Sequence, residues 1–297
     1  MYINPYQNLR NGKFMKANFH THAGTGAGTC GSNSIESVLP LYRQTNYEYL
    51  CISNHNLFTD TTSYSDDVLC MVPGVEYTKD QHMLNIGCDR SLHEHDFQEA
   101  IDITNKTGGF TIMAHPNWIH KELWKWDDLD KLKGYVGLEV INMLIYRLNG
   151  SGLATDTWDH LLTNGRLVYG FGNDDFHIFT DAARSFNLIY CENKSFDDMK
   201  AAVESGAFCA STGVYPEYLK LEGDTIKVKA YFPIDTYIDT FTYRFVTENG
   251  KILSEQKAIE GSYRLNGEPY VRVEVIGENG AMLFFQPVYK EGALKRI

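Results

Sequence analysis

Short apolar runs alternate with amphipathic helical stretches from about residue 15 to residue 213, and this alternation limits the fold more than any other feature of the chain. Lys16–His22 reads as a strand, and Ile35–Thr45 as a helix with Ile35, Val38, Leu39 and Tyr42 on one face. Tyr49–Ser53, Leu69–Tyr77 and Met83–Cys88 are further strand-like runs, and Phe97–Thr107 reads as a helix stopped at Gly108-Gly109. Phe110–Ala114, Val136–Ile141 and Leu167–Phe171 follow as apolar strands, with helices over roughly 127–133 and 155–164. Ser185–Cys191 is another strand, and Ser195 caps a helix over Phe196–Glu204 that Gly206 closes. Strand and helix repeated this often predict a parallel α/β sheet, in its simplest form a barrel.

The pattern changes after Gly213. Tyr218–Glu222, Thr225–Phe232, Thr240–Thr247, Lys251–Ile259 and Tyr270–Ile276 look like strands separated by turns such as Glu248-Asn249-Gly250. We therefore divide the chain near Tyr215-Pro216 into an α/β unit, residues 1–213, and a small antiparallel β-domain, residues 214–297. A chain of 297 residues has room for both.

Charge and cysteine usage exclude some functions. Thirty-eight acidic residues against 27 basic ones give a net charge of −11. No block of Lys or Arg offsets this locally, which disfavours a nucleic-acid partner. Six cysteines without a CxxC pair are not a disulfide framework and fit a reduced compartment. No run of about 18 apolar residues is present to span a membrane. The opening MYINPYQNLRNGKF lacks the apolar core of a secretion signal, so a cytoplasmic location is expected.

The chemistry-bearing residues fall at the ends of the predicted strands, where α/β barrels build active sites. His20 and His22 flank Thr21 at the end of the first strand. Alternate strand residues point the same way, so both imidazoles can reach one ion. His55, Glu76, His115 and the pair Asp175 and His177 each end a strand, and His82 opens one. Any one of these reads equally well as an ordinary polar strand end. Six histidines and two acids converging on one rim read as a metal centre.

The ordered motifs NFHTH (18–22), ISNHN (52–56), PGVE (73–76), QHMLNIG (81–87), MAHP (113–116), GLEVIN (137–142) and GNDDFH (172–177) resemble those of the PHP (polymerase and histidinol phosphatase) metallohydrolases, over about residues 16–213. ESGAFCASTG (204–213) is similar to the segment that leads into a C-terminal β-domain in the branch containing the CehA/McbA-type hydrolases. This resemblance implies a distorted (β/α)7 barrel holding two or three divalent ions. It implies that His20, His22, Glu76 and Asp175 hold the first ion. Glu76 would bridge to a second bound by His82 and His115, and His55 and His177 would hold a third. Imidazole and carboxylate ligands suit zinc, manganese or iron. A hydroxide shared by two cations stays nucleophilic near neutral pH, and Asp175 can accept its proton.

One position departs from the family pattern. Cys30-Gly31 stands in the loop AGTGAGTCGSNS (23–34) where an Asp-Gly is expected. Either the Cys30 thiolate completes a third site with His55 and His177, or Cys30 is a small loop residue and that site is empty or weak. Gly24, Gly26 and Gly28 do not form a GxGxxG or P-loop pattern.

Asn117, Trp118 and His120 follow the MAHP strand and are candidate pocket residues. Arg147 and Arg184 are candidates for gripping an anionic group. His93, His95 and His160 read as solvated, and Trp124, Trp126 and Trp158 as packing residues. The sequence thus points to a metal-dependent phosphoesterase acting on a small phosphomonoester. Alternatives are a carboxylic or carbamate ester hydrolase on the same fold, and a metal- or ligand-binding module without turnover.

Overall fold

A computed structural model describes residues 1–30, 32–119, 124–234 and 240–297. Candidate residue His120 lies outside the described residues.

Local chemistry sets the helices. Ile35–Gln44 begins where the Ser34 side chain accepts a hydrogen bond from Ser37 N, and it buries Val38, Leu39 and Tyr42. Phe97–Lys106 is capped by Asp96, and Phe196–Ser205 by Ser195. The latter ends at Gly206, whose φ of 77° suits a residue without a Cβ.

The strands of the first 213 residues form two sheets rather than one. In the first, Cys70–Val72, Tyr49–Cys51, Lys13–Asn18, Phe186–Cys191 and Phe208–Ser211 lie side by side. The second runs Gly74–Thr78, His82–Ile86, Phe110–Met113, Gly137–Asn142, Tyr169–Asn173. The α/β character is as expected, but among the described residues a closed (β/α)7 barrel is not seen: the ladders do not close into a ring. Two physical reasons are visible. Pro73 cannot donate to a ladder, and it splits the expected Leu69–Tyr77 strand into one piece for each sheet. The link between Thr78 and His82 is too short for a helical crossover, so Gly74–Thr78 and His82–Ile86 pair antiparallel. Isolated parallel bridges, Thr21 with Phe176 and His55 with Glu76, stitch the two sheets together.

The C-terminal strands are antiparallel. Tyr215–Glu222, Thr225–Tyr231 and Glu260–Arg264 make a three-stranded sheet. Phe241–Thr247, Lys251–Ala258, Tyr270–Ile276 and Met282–Phe285 continue the first sheet, because Met282–Phe285 pairs with Phe208–Ser211. Further ties cross from Tyr270–Phe285 and its neighbours to the α/β strands. Gln286 both donates to Gly170 O (2.8 Å) and accepts from Gly170 N (2.9 Å). Buried Arg272 forks onto Asp159, with both contacts at 2.7 Å. No helix among the described residues is long and apolar enough to cross a membrane.

Candidate metal centre

The seam between the two sheets is where the histidines meet. The first strand ends at Asn18, earlier than expected, but the chain stays extended as Thr21 bridges to Phe176. His22 N donates to Phe176 O (2.8 Å) and Ser53 N to Thr21 O (2.8 Å), which locks His20 and His22 onto one side. Glu76 sits within the strand Gly74–Thr78, not at its end, and His82 is the first residue of the neighbouring strand. His115 and Asp175 follow their strands with φ of 29° and 53°. Side chains other than glycine rarely adopt such angles, and strain of this kind gathers where residues must be aimed.

Glu76 is the hub. Its Oε1 lies 3.2 Å from His20 Nε2, 2.9 Å from His82 Nδ1 and 3.3 Å from His115 Nε2. Its Oε2 lies 2.6 Å from His55 Nδ1 and 3.3 Å from His22 Nε2. Asp175 Oδ1 is 3.2 Å from His20 Nε2, 3.4 Å from His22 Nε2 and 3.4 Å from His177 Nδ1. Cys30 Sγ approaches from the loop, 3.3 Å from His22 Nδ1 and 3.6 Å from His177 Nε2.

These contacts fall into overlapping groups whose donor atoms lie within 4.8 Å of one another: His20, His22 and Asp175; His20, Glu76 and His115; His55, Glu76 and His82; and His22, Cys30, His55 and His177. His20 Nε2, His22 Nε2, Glu76 Oε2 and Asp175 Oδ1 are buried without a hydrogen bond. Orphaned, buried donor atoms of ligating type, aimed at one another, are what a metal centre requires. The donor set fits divalent ions.

Electrostatics agree. Burial pushes the Glu76 carboxyl up, but His20, His55 and His82 outweigh it and hold it well below the usual carboxylate range. Asp175 is lowered in the same way, against its burial, by His20, His22 and His177. Burial opposes charging of His20, yet Asp175, Glu139 and Glu76 raise its pKa well above the ordinary value. His55 rises to about 10 and His177 to about 9, through Glu76 and Cys30 for the first and Cys30 and Asp175 for the second, with burial opposing both. His82 is lowered, burial being the strongest influence. Burial would raise the Cys30 thiol, but hydrogen bonds with His177, His22 and His55 bring it down to about 4. Protonated imidazoles balance the two carboxylates here, a role that cations would take over as they displace those protons.

Sequence reasoning quoted the GLEVIN segment without giving Glu139 a role. Fully enclosed in its strand, Glu139 presents Oε1 to His20 Nδ1 (2.8 Å) and accepts from Asn173 Nδ2 (2.9 Å). Its Oε2 accepts from His115 N (2.8 Å) and Asn142 Nδ2 (2.7 Å). It therefore orients the His20 imidazole and fixes the backbone at His115. The signal was available: a lone acid in an apolar strand must have partners. Asp174 was missed as well. It accepts from Ala183 N, Arg184 N and Ser185 N at 2.8–2.9 Å and so fixes the turn that aims Asp175.

A cavity of about 240 Å³ opens over the cluster, lined by His55, Glu76, His82, His115, Asp175 and His177, with Trp118, Leu144, Arg147 and Leu148 forming the rest. Arg147 thus reaches the cavity, although its Nε and Nη2 donate to Asp181 at 2.8 Å each. Arg184 does not line it; its side chain is exposed. Nor does Asn117, whose amide donates to Leu153 O and Asp156 Oδ1.

Comparison with known proteins adds the fold. The chain is similar to a two-domain protein from Bacteroides vulgatus that contains a predicted PHP-like metal-dependent phosphoesterase, with a TM-score of 0.55 and 15% identity over 92% of this chain and 94% of that one. The two chains share a fold. No protein-family model matches the chain, and no curated protein does.

Proposed function

We propose that the protein is a metal-dependent hydrolase of phosphomonoesters of small molecules. One observation carries the reading: a single buried carboxylate, Glu76, faces five imidazole nitrogens at 2.6–3.3 Å, and two of them, His20 Nε2 and His22 Nε2, have no hydrogen bond. The shared fold with a protein described as PHP-like supports it. His20, His22, Glu76 and Asp175 would hold one ion, Glu76, His82 and His115 a second, and His55, His177 and Cys30 a third, in zinc, manganese or iron form. Bound ions supply Lewis acidity and lower the pKa of water to near neutrality. Asp175, its carboxylate deprotonated, is placed to accept a proton at Oδ2 or Oδ1. Glu139 keeps His20 and the His115 backbone fixed, so the donor geometry needs no rearrangement. Arg147 lends positive charge to the cavity beside the ligands. The net charge of −11 supports a small substrate over nucleic acid.

The test is metal content by elemental analysis of chelator-free protein, followed by phosphatase assays after reconstitution, with Glu76→Gln as control. Two or three ions per chain and phosphate release that fall together in the variant support the reading. A metal-free protein under every condition overturns it. A second reading, hydrolysis of carboxylic or carbamate esters, is favoured by the apolar share of the cavity wall. Turnover of aryl esters without turnover of aryl phosphates would select it.

A further inference from the structure

We infer that the ester taken by this centre has an apolar leaving group, aryl or branched alkyl, rather than a sugar or other polyhydroxylated alcohol. The inference rests on the phosphoester reading above and names its substrate class. The cavity is two-faced. Its floor is made of charged and ligating side chains, whereas Trp118, Leu144 and Leu148 form the remaining wall with Arg147. Trp118 packs edge-on to His115 and His82, ring centroids 5.0 and 5.6 Å away, so an apolar plane stands directly beside the ligands.

The loops that supply this wall carry more of the same chemistry. Ile119, Tyr146, Ile178 and Phe179 are all exposed, from 41% to 57%. The loops are tied to one another: Ile119 N donates to Asn149 O (3.0 Å), and Arg147 forks onto Asp181, which also accepts from His177 N and Ile178 N. Large apolar side chains gathered on linked loops, here the loops that also carry the cavity-lining Trp118, Leu144 and Leu148, mark a binding surface, whereas single ones do not. Hydrogen-bonding capacity for hydroxyl groups is scarce on that wall. Leu144 and Leu148 offer no side-chain donor, and Arg147 already uses Nε and Nη2. A sugar's hydroxyls laid against Leu144 and Leu148 would lose hydrogen bonds to water without replacing them, whereas a ring would leave water for an apolar face. About 240 Å³ accommodates a phosphoryl group with one ring.

Non-hydrolysable phosphonates test this without turnover. Calorimetric titration of the metal-reconstituted protein would compare phenylphosphonate with methylphosphonate and 2,3-dihydroxypropylphosphonate. Phenylphosphonate is expected to bind about tenfold or more tightly than either, since burying much of a ring is worth at least that factor. Leu148→Ser, at a half-exposed position outside the candidate ligand set, should lower phenylphosphonate affinity and so erase most of the difference. Equal affinity for all three would overturn the apolar-leaving-group inference and leave the phosphoester reading standing. Binding of none, with metal shown to be present, would remove that reading and the inference with it.

Discussion

Cys30 Sγ lies 3.3 Å from Nδ1 of His22, while the opposite nitrogen of the same ring, Nε2, faces Glu76 and Asp175. His22 therefore stands between the carboxylate cluster and the thiol. A thiolate among imidazoles is a good zinc or cobalt ligand. In cobalt-substituted protein we expect a near-ultraviolet sulfur-to-metal charge-transfer band that disappears in Cys30→Ser, together with loss of about one ion per chain. An unchanged spectrum in the variant would leave Cys30 as a loop residue only.

Acid and base pull the metal-free protein in opposite directions. His55 and His177 have folded pKa values of about 10 and about 9, above the ordinary 6.5, so their protonation stabilises the fold. That stability is fully present below about pH 6.5 and is lost as pH rises through 9 to 10. Glu76 and Asp175 are lowered, so their contribution is present above the ordinary carboxylate range and is lost on acidification. Thermal unfolding of chelator-treated protein should show a melting temperature that declines from about pH 7 towards pH 10. With metal bound the decline should vanish, because coordination needs the neutral imidazoles. A flat alkaline profile without metal would contradict this account of the cluster.

Glu139→Gln should weaken metal binding without unfolding the protein. All four groups around the Glu139 carboxylate are donors or imidazole nitrogens: His20 Nδ1, Asn173 Nδ2, His115 N and Asn142 Nδ2. A glutamine must turn its own NH₂ towards one pair of them. Removing such a supporting contact costs about 10- to 100-fold in metal affinity or activity. Competition with a chelator measures it, and an affinity equal to wild type would mean that Glu139 only fills its strand.

Much of this cluster was legible because its histidines and acids are paired by short spacing. His20 with His22, and Asp175 with His177, each keep two side chains on one face of an extended segment. The ligands on separate strands could be placed only in order, since register between distant strands is set by tertiary pairing. Hence the chain's division into strands was readable, but not that Pro73 would send Cys70–Val72 and Gly74–Thr78 into different sheets. Met282–Phe285 and Val288–Lys290 went unassigned for a similar reason. They are four and three residues long, with no polar alternation to mark a face. Loop side chains were least readable. Arg147 and Arg184 are both exposed, yet the first, held by the Asp181 carboxylate, lines the cavity and the second does not.

The C-terminal strands bear on the centre through one buried ion pair. Asp159, in the helix Thr155–Thr163, receives Arg272 from the strand Tyr270–Ile276, and Arg272 also reaches Glu274. Arg272 stacks over Trp158, its guanidinium carbon 5.1 Å from the ring centroid, and Trp158 N–H donates to Val168 O just before the strand Tyr169–Asn173 that leads to Asp175. Truncating one member of a buried pair strands the other charge, at a cost of about 3–5 kcal/mol. Arg272→Ala should therefore lower stability by that amount in denaturant unfolding, and far-ultraviolet and tryptophan signals should shift together if the two regions unfold as one. The double variant Asp159→Leu with Arg272→Met should recover part of the loss, since it removes the Asp159 charge while Glu274 is left without Arg272. If the single variant instead gave two separated transitions, with metal binding retained after the first, the C-terminal strands would be an independent unit and the pair would not couple them to the site.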